Sequence, residues 1–305
     1  MTVINMLGLK EAGIVAADEQ ASTDLRKTNV SQKLHKLGKS FVYGGSGPIN
    51  MLGRVYKLSN NNIKELMETK GDFSLNDAYN IVNQEIINYK NQQKNNVLLA
   101  SVGINLENFL TSQINGVALG EDTKKAGINF LNQVDEKFAM TVLLGGMENG
   151  KFGIYSSNTS GIGGENIMNY SSIGSGADES DKILSSYIAS LSRDQRERIE
   201  PKEGIVKIIE ATNASKNINQ GVGGSLGIAY VPKNDVPIIP SDNQCILAGE
   251  LVEGLTRNFL DKVFVYDKVF ELVTQDGDFI KIKKEMQNTS KNWDEFDRIL
   301  RGYKG

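Results

Sequence analysis

The 305-residue sequence has few residues that form cross-links or metal sites: one cysteine, Cys245, one histidine, His35, and five prolines. A single cysteine excludes an intramolecular disulfide, which is consistent with a reducing compartment. One histidine and one cysteine are too few for a Cys/His zinc site. A nucleophile activated by histidine would need His35, and a lone histidine in an alternating, strand-like segment (33–37) is typical of a structural role.

The sequence also lacks long hydrophobic runs and an excess of basic charge. No run reaches the roughly 18–20 residues that a membrane-spanning helix needs. The short apolar segment 3–9 has no basic residues before it, unlike a signal peptide. The 34 Lys and Arg residues against 37 Asp and Glu form no stripe suited to a phosphate backbone. We therefore expect a cytoplasmic globular protein, with neither membrane nor nucleic acid as a partner.

The glycine-rich segments do not predict a nucleotide site. Residues 221–224 and 174–176 lack the strand, helix and downstream acid of a dinucleotide fold, and no Gly-Lys-Ser/Thr phosphate loop occurs. We expect no cofactor and no bound metal.

The hydrophobic pattern predicts two groups of strands, each followed by helices. The predicted strands are 2–9, 13–20, 33–37, 40–43, 138–144, 152–157 and 226–231. The predicted helices cover about 49–58, 75–90, 178–191, 202–215 and 245–260. A break is expected at Gly145–Gly146, further helix over about 95–134 and 279–300, and strand-like structure over 263–273. This order predicts an α+β fold with two stacked sheets and helices on both outer faces, a four-layer αββα sandwich.

Four residues or short segments are predicted to converge at one sheet edge. If the first turn lies at 10–12, antiparallel pairing places Asp18 beside Thr2. Lys33 begins the next strand, and the glycine-rich segment Gly44–Gly47 closes the strand after it. Removal of Met1 would leave Thr2 with a hydroxyl and a free α-amine, whose ordinary pKa of about 7.7–8.0 suits a general base. A lysine held by an aspartate would favour the neutral amine and the developing alkoxide.

This order of residues resembles proteasome β-subunits and the related bacterial heat-shock protease rings, which are N-terminal nucleophile hydrolases. The resemblance covers about residues 2–233, with a gap. It is carried by Thr2, Ala16-Ala17-Asp18, Lys33-Leu34, Tyr43-Gly44-Gly45-Ser46-Gly47, 141–146, 152–156, Ser160-Gly161, Ile173-Gly174-Ser175-Gly176 and Pro201-Lys202-Glu203-Gly204.

The resemblance implies a role for each matching residue. Thr2 is the nucleophile and amine base, and Asp18 and Lys33 are its charge partners. Gly44 is the expected oxyanion donor, through its backbone N–H. Ser175 supports the amine, with a helix N-cap as the alternative interpretation. Active relatives carry an aspartate and a serine further on, where this sequence has Asn219 and Val222.

The resemblance also implies a domain at 2–236, with an insertion at about 95–134, and a mainly helical extension at 237–305. The insertion and the extension are either peripheral or involved in selecting partners or substrates. The leading expectation is a threonine peptidase that degrades polypeptide in a homo-oligomer, served by an ATP-dependent unfoldase. Two alternatives stay open: a related protein ligase that uses the same acyl-enzyme, and an inactive assembly or binding protein.

Overall fold

The structure is a computed structural model that describes residues 2–23, 26–28, 32–70, 73–218, 222–233 and 236–302. Its strands are β1 (Ile4–Leu9), β2 (Ala12–Asp18), β3 (Ala21–Thr23), β4 (Arg26–Thr28), β5 (Leu34–Leu37), β6 (Phe41–Ser46), β7 (Gln113–Ile114), β8 (Val117–Ala118), β9 (Thr141–Glu148), β10 (Lys151–Asn158), β11 (Gly164–Glu165), β12 (Tyr170–Ile173) and β13 (Leu226–Pro232). Its helices are α1 (Ile49–Thr69), α2 (Leu75–Val102), α3 (Leu106–Leu110), α4 (Glu121–Lys137), α5 (Ala177–Ser190), α6 (Arg193–Arg196), α7 (Pro201–Ile218), α8 (Asp242–Thr256), α9 (Lys262–Thr274), α10 (Phe279–Thr289) and α11 (Trp293–Gly302).

Two larger antiparallel sheets organise the molecule. One has four strands in the order β12-β1-β2-β13, and the other has five in the order β11-β10-β9-β6-β5. Two short hairpins, β3-β4 and β7-β8, stand apart from them. The prediction of a mixed α+β protein is therefore confirmed.

The strands β1 and β2 are buried along their whole length because both faces of their sheet are covered. Ile4 and Met6 share an apolar cluster with Val42 and Leu143 of the other sheet, so the two sheets pack face to face. Leu7 and Leu9 join a second cluster with residues of α7, α8 and α9. A third cluster joins the five-stranded sheet to α1 and α2. Each sheet therefore has a neighbouring sheet on one side and helices on the other.

The predicted break at Gly145–Gly146 is wrong, because β9 runs through both glycines. A Cβ on Gly145 would lie 2.5 Å from the Phe152 ring, and one on Gly146 would lie 2.4 Å from the Phe41 ring. The two glycines make room for aromatic rings that pack against the strand.

The predicted strand-like segment 263–273 is also wrong, since it forms helix α9. Asp261 caps this helix by accepting a hydrogen bond from the Val263 N–H at 2.9 Å. Val265, Val269, Leu272 and Val273 are its buried residues, and this spacing is helical. Tertiary burial thus overrides the strand preference of β-branched residues.

The region predicted as an insertion contains more than amphipathic helix. Helix α2 continues past its predicted end to Val102, and α3, the hairpin β7-β8 and α4 follow. Leu98 of α2, Phe109 of α3 and Leu119, which precedes α4, belong to a small apolar cluster in this region.

Residues 242–302 fold as helices α8 to α11. Their apolar side chains, among them Leu251, Val269 and Phe296, join the same cluster as Ile14 of β2. None of the helices among the described residues is long and apolar enough to cross a bilayer.

Candidate functional site

The first hairpin brings Asp18 against the start of the chain. The register pairs Ile4 with Ala17, so the next residues outward are Val3 and Asp18. The Asp18 N–H donates to the Val3 carbonyl at 3.2 Å, and the Val3 N–H donates to Asp18 Oδ1 at 2.8 Å. The predicted position of Asp18 beside the start of the chain is thus observed, with its carboxylate bound to the backbone one residue after Thr2.

Asp18 forms a buried ion pair with Lys33. Lys33 Nζ lies 2.8 Å from Asp18 Oδ1, and the two side chains are 8% and 0% exposed. The other oxygen, Oδ2, accepts a bond from the Gly223 N–H at 3.3 Å. Burial lowers the pKa of Lys33, and the charge of Asp18 opposes that shift. Replacing a buried pair by apolar residues is often neutral for stability, whereas removing one partner is strongly destabilising.

Thr2 is held from the opposite side by the turn 174–176, which precedes α5. The Thr2 N–H donates to Ser175 Oγ at 3.2 Å, and the Gly176 N–H donates to the Thr2 carbonyl at 3.1 Å. Gly174 has a φ of +98°, and a Cβ there would lie 2.1 Å from the Thr2 oxygen. Glycine is therefore required at 174 for this close approach.

The N-cap interpretation of Ser175 is not what the structure shows. Helix α5 begins at Ala177 with Gly176 at its N-cap, and no side chain caps it. Ser175 Oγ instead accepts a hydrogen bond from the backbone nitrogen of Thr2. This nitrogen would become the α-amine if Met1 were removed.

Gly44 lies inside the five-stranded sheet, paired with Leu34 on one side and Leu143 on the other. A Cβ on Gly44 would approach the side chain of Ile4 at 3.0 Å. Its role as oxyanion donor remains a prediction.

The end of the same strand is close to the Thr2 backbone. The position that a Cβ on Gly174 would take lies 3.3 Å from Ser46 Oγ and 2.1 Å from the Thr2 carbonyl oxygen. Ser46, the last residue of β6, therefore lies near Gly174, the residue that contacts the Thr2 backbone.

Of the two residues at which the sequence departs from the resemblance, Asn219 lies outside the described residues. Val222 is 3% exposed, and its Cγ2 lies 2.9 Å from the position of a Cβ on Gly176. An apolar side chain thus packs against the turn that holds Thr2.

Two charged residues near this site were not predicted. Glu19 follows Asp18 and accepts a bond from Ser225 Oγ at 2.7 Å, and burial raises its pKa. Half-buried Lys216 lies in the last turn of α7. Burial lowers its pKa to about 8, against the opposing charges of Asp18, Glu19 and Glu253. Nothing in the local sequence distinguishes Lys216 from a solvated lysine at a helix end.

The two scarce residue types have other surroundings. Cys245 is buried, and burial raises the pKa of its thiol to about 12. His35 stacks on Tyr56 with ring centroids 4.4 Å apart, and burial lowers its pKa. In the part of the chain that the structure describes, no group of three or more His, Cys, Asp or Glu side chains is arranged to hold a metal ion.

No protein-family model matches this sequence, and no curated protein matches it.

Proposed function

We propose that this chain is a threonine-type hydrolase of the N-terminal nucleophile class, in which removal of Met1 turns Thr2 into nucleophile and base. The observation that carries the proposal is the buried Asp18–Lys33 pair, whose carboxylate accepts a hydrogen bond from the Val3 N–H. Beside it, Ser175 Oγ accepts a hydrogen bond from the backbone nitrogen of Thr2. Two face-to-face sheets with helices on their outer sides support the four-layer αββα fold of this class.

The proposed chemistry uses the two functional groups of Thr2. The neutral α-amine accepts the proton of Oγ1, and Oγ1 attacks the carbonyl carbon of a peptide bond. The tetrahedral intermediate collapses to an ester on Thr2, and the leaving amine takes the proton. Water then hydrolyses the ester and restores Oγ1. A nearby lysine cation favours the neutral amine and stabilises the developing oxyanion.

The proposed substrate is unfolded polypeptide, and the proposed assembly is a homo-oligomer served by an ATP-dependent unfoldase. These proposals come from the resemblance of residues 2–233 to chambered proteases. The ligase alternative differs only in the second step, where an incoming amine replaces water.

An inactive binding protein is a second candidate, favoured by Val222. Its buried isopropyl group against the 174–176 turn offers no hydroxyl to the amine. In this case the fold and the ion pair would persist without turnover.

Intact-mass spectrometry followed by reaction with a peptide epoxyketone tests the proposal. We expect the purified protein to lack Met1 and to gain one inhibitor mass at Thr2. Thr2→Ala should abolish this adduct, because the hydroxyl is lost, while Thr69→Ala, at an exposed helix end, should leave it unchanged. Retained Met1, or an adduct that survives Thr2→Ala, would refute Thr2 as the nucleophile.

A further inference from the structure

A chain of fully buried polar side chains connects strand β1 with helices α5 and α7. Asn5, Ser180, Thr212 and Ser215 are all 0% exposed. Polar groups are costly to bury unless they form hydrogen bonds. A row of buried polar side chains within an apolar layer therefore calls for a physical explanation.

The hydrogen bonds of these side chains lead from β1 to the 174–176 turn. Asn5 Nδ2 donates to Ser180 Oγ at 3.1 Å, and Ser180 Oγ lies 2.7 Å from Ser215 Oγ. Ser215 Oγ is 2.7 Å from the Gly176 carbonyl oxygen, which can only accept. Either hydroxyl can be the donor between Ser180 and Ser215. When Ser215 donates its one hydrogen to the Gly176 carbonyl, its oxygen accepts from Ser180.

This row of hydrogen-bonded side chains ends on the turn that holds Thr2. Gly176 accepts from Ser215 through its carbonyl and donates its N–H to the Thr2 carbonyl at 3.1 Å. A Cβ on Gly176 would lie 3.1 Å from the Val3 Cβ and 3.2 Å from the Ser215 Cβ. The end of α7 is therefore packed against Gly176, whose N–H is bonded to the Thr2 carbonyl.

Thr212 forms a side branch that does not reach this turn. Its Oγ1 accepts from Asn5 Nδ2 at 2.8 Å and donates to the Ile208 carbonyl of its own helix at 2.8 Å. Thr212 and Ser215 thus share a helix, full burial and bonding to this network, but only Ser215 is bonded to Gly176.

We infer that Ser215, oriented by Ser180, is a positioning residue that fixes the 174–176 turn so that Ser175 Oγ and the Gly176 N–H engage Thr2. This inference rests on the proposed function, because it assigns the reacting group to Thr2. Ser215 does not touch the substrate. It acts through Gly176 on the geometry of the amine and the hydroxyl, and small displacements of reacting groups have large effects on rate.

The variants Ser215→Ala and Thr212→Ala separate positioning from general stability. The first removes the hydroxyl bond to the Gly176 carbonyl and leaves that oxygen the Ser180 N–H at 3.5 Å. Ser180 Oγ can still donate to the Ala211 carbonyl, 3.1 Å away. The second removes a buried hydroxyl of the same helix and leaves the turn bonded. Ser180→Ala serves as a further variant, with an expected effect between the two.

The first measurement is the saturable rate of adduct formation by a peptide epoxyketone. We expect Ser215→Ala to lower the maximal rate by about tenfold or more with an unchanged half-saturating concentration, and Thr212→Ala to stay within about twofold of the parent protein. A Ser215→Ala protein that reacts at the parent rate, or a Thr212→Ala protein slowed equally, would overturn the inference.

The second measurement is hydrogen exchange of the Gly176 amide, which does not depend on activity. We expect faster exchange in Ser215→Ala than in Thr212→Ala at matched stability, and equal exchange in the two would overturn the inference. If the parent protein forms no adduct while exchange follows the expected order, the proposed function fails and the positioning of Thr2 by Ser215 is retained.

Discussion

The Thr2 site and the region of α2, α3, β7-β8 and α4, residues 94–137, use charge and glycine in opposite ways. At the site, the Asp18–Lys33 pair is buried, and Gly174 lies in contact with the Thr2 backbone. In the 94–137 region, Lys94 pairs with Asp135, which is 41% exposed, and Gly116 has no atom within 4 Å of a Cβ position. At the Thr2 site the ion pair is buried and the glycine is required by a close contact. In the 94–137 region the carboxylate of the pair is exposed and the glycine has open space around it.

The largest expected effect comes from removing a lysine. Lys33→Met leaves Asp18 buried without its ion-pair partner, which should cost about 3–5 kcal/mol of unfolding free energy and abolish epoxyketone labelling. Lys94→Met should cost at most about 1 kcal/mol, because its partner is exposed and also pairs with Lys90. Urea denaturation measures both, and equal losses would remove the contrast between the two regions.

A smaller but still large effect is expected from Gly174→Ala. The new Cβ would meet the Thr2 carbonyl at 2.1 Å in a backbone conformation with positive φ, so we expect a loss of roughly 3 kcal/mol and slow labelling. Gly116→Ala also has a positive φ, +81°, but no clash, and should cost about 1 kcal/mol with normal labelling. A well-labelled Gly174→Ala protein would show that the turn does not hold Thr2.

The smallest expected effect is a pH dependence of stability at Lys216. Its pKa is about 8 in the folded protein and about 10.4 when unfolded, so between these values the unfolded state binds more protons. Unfolding free energy should therefore rise with pH in this window.

Lys216→Met removes this pH-dependent contribution to the unfolding free energy. At pH 7.5 the variant should have the larger unfolding free energy, because it does not bury a charged amine. This difference from the parent protein should shrink by about 1–2 kcal/mol between pH 7.5 and 9.5. Parallel stability curves, measured by urea denaturation, would show that Lys216 titrates normally.

Local patterns predict much of the site. The prediction of a first hairpin with a short turn places Asp18 near the start of β1, as the structure has it. The turn is one residue shorter than the predicted 10–12, because Ala12 belongs to β2 and pairs with Leu9. The resemblance singles out Gly174-Ser175-Gly176, and in the structure Ser175 Oγ accepts a hydrogen bond from the Thr2 N–H.

Other features depend on packing between distant segments. Ser215 and Ser180 are separated by 35 residues and both bond to groups across the helix layer, which no local pattern reveals. In the sequence, the two glycines of β9 resemble a strand break. The reason for them is tertiary, because the rings of Phe41 and Phe152 occupy the space that a side chain would need. The β-branched residues of α9 resemble a strand until their helical burial is seen.

The most direct test of the central claim is peptide mapping of the protein after reaction with a peptide epoxyketone. We expect an N-terminal peptide that begins at Thr2 and carries the inhibitor, and no labelled peptide in Thr2→Ala. An N-terminal peptide that still begins with Met1, or an inhibitor bound elsewhere, would contradict it.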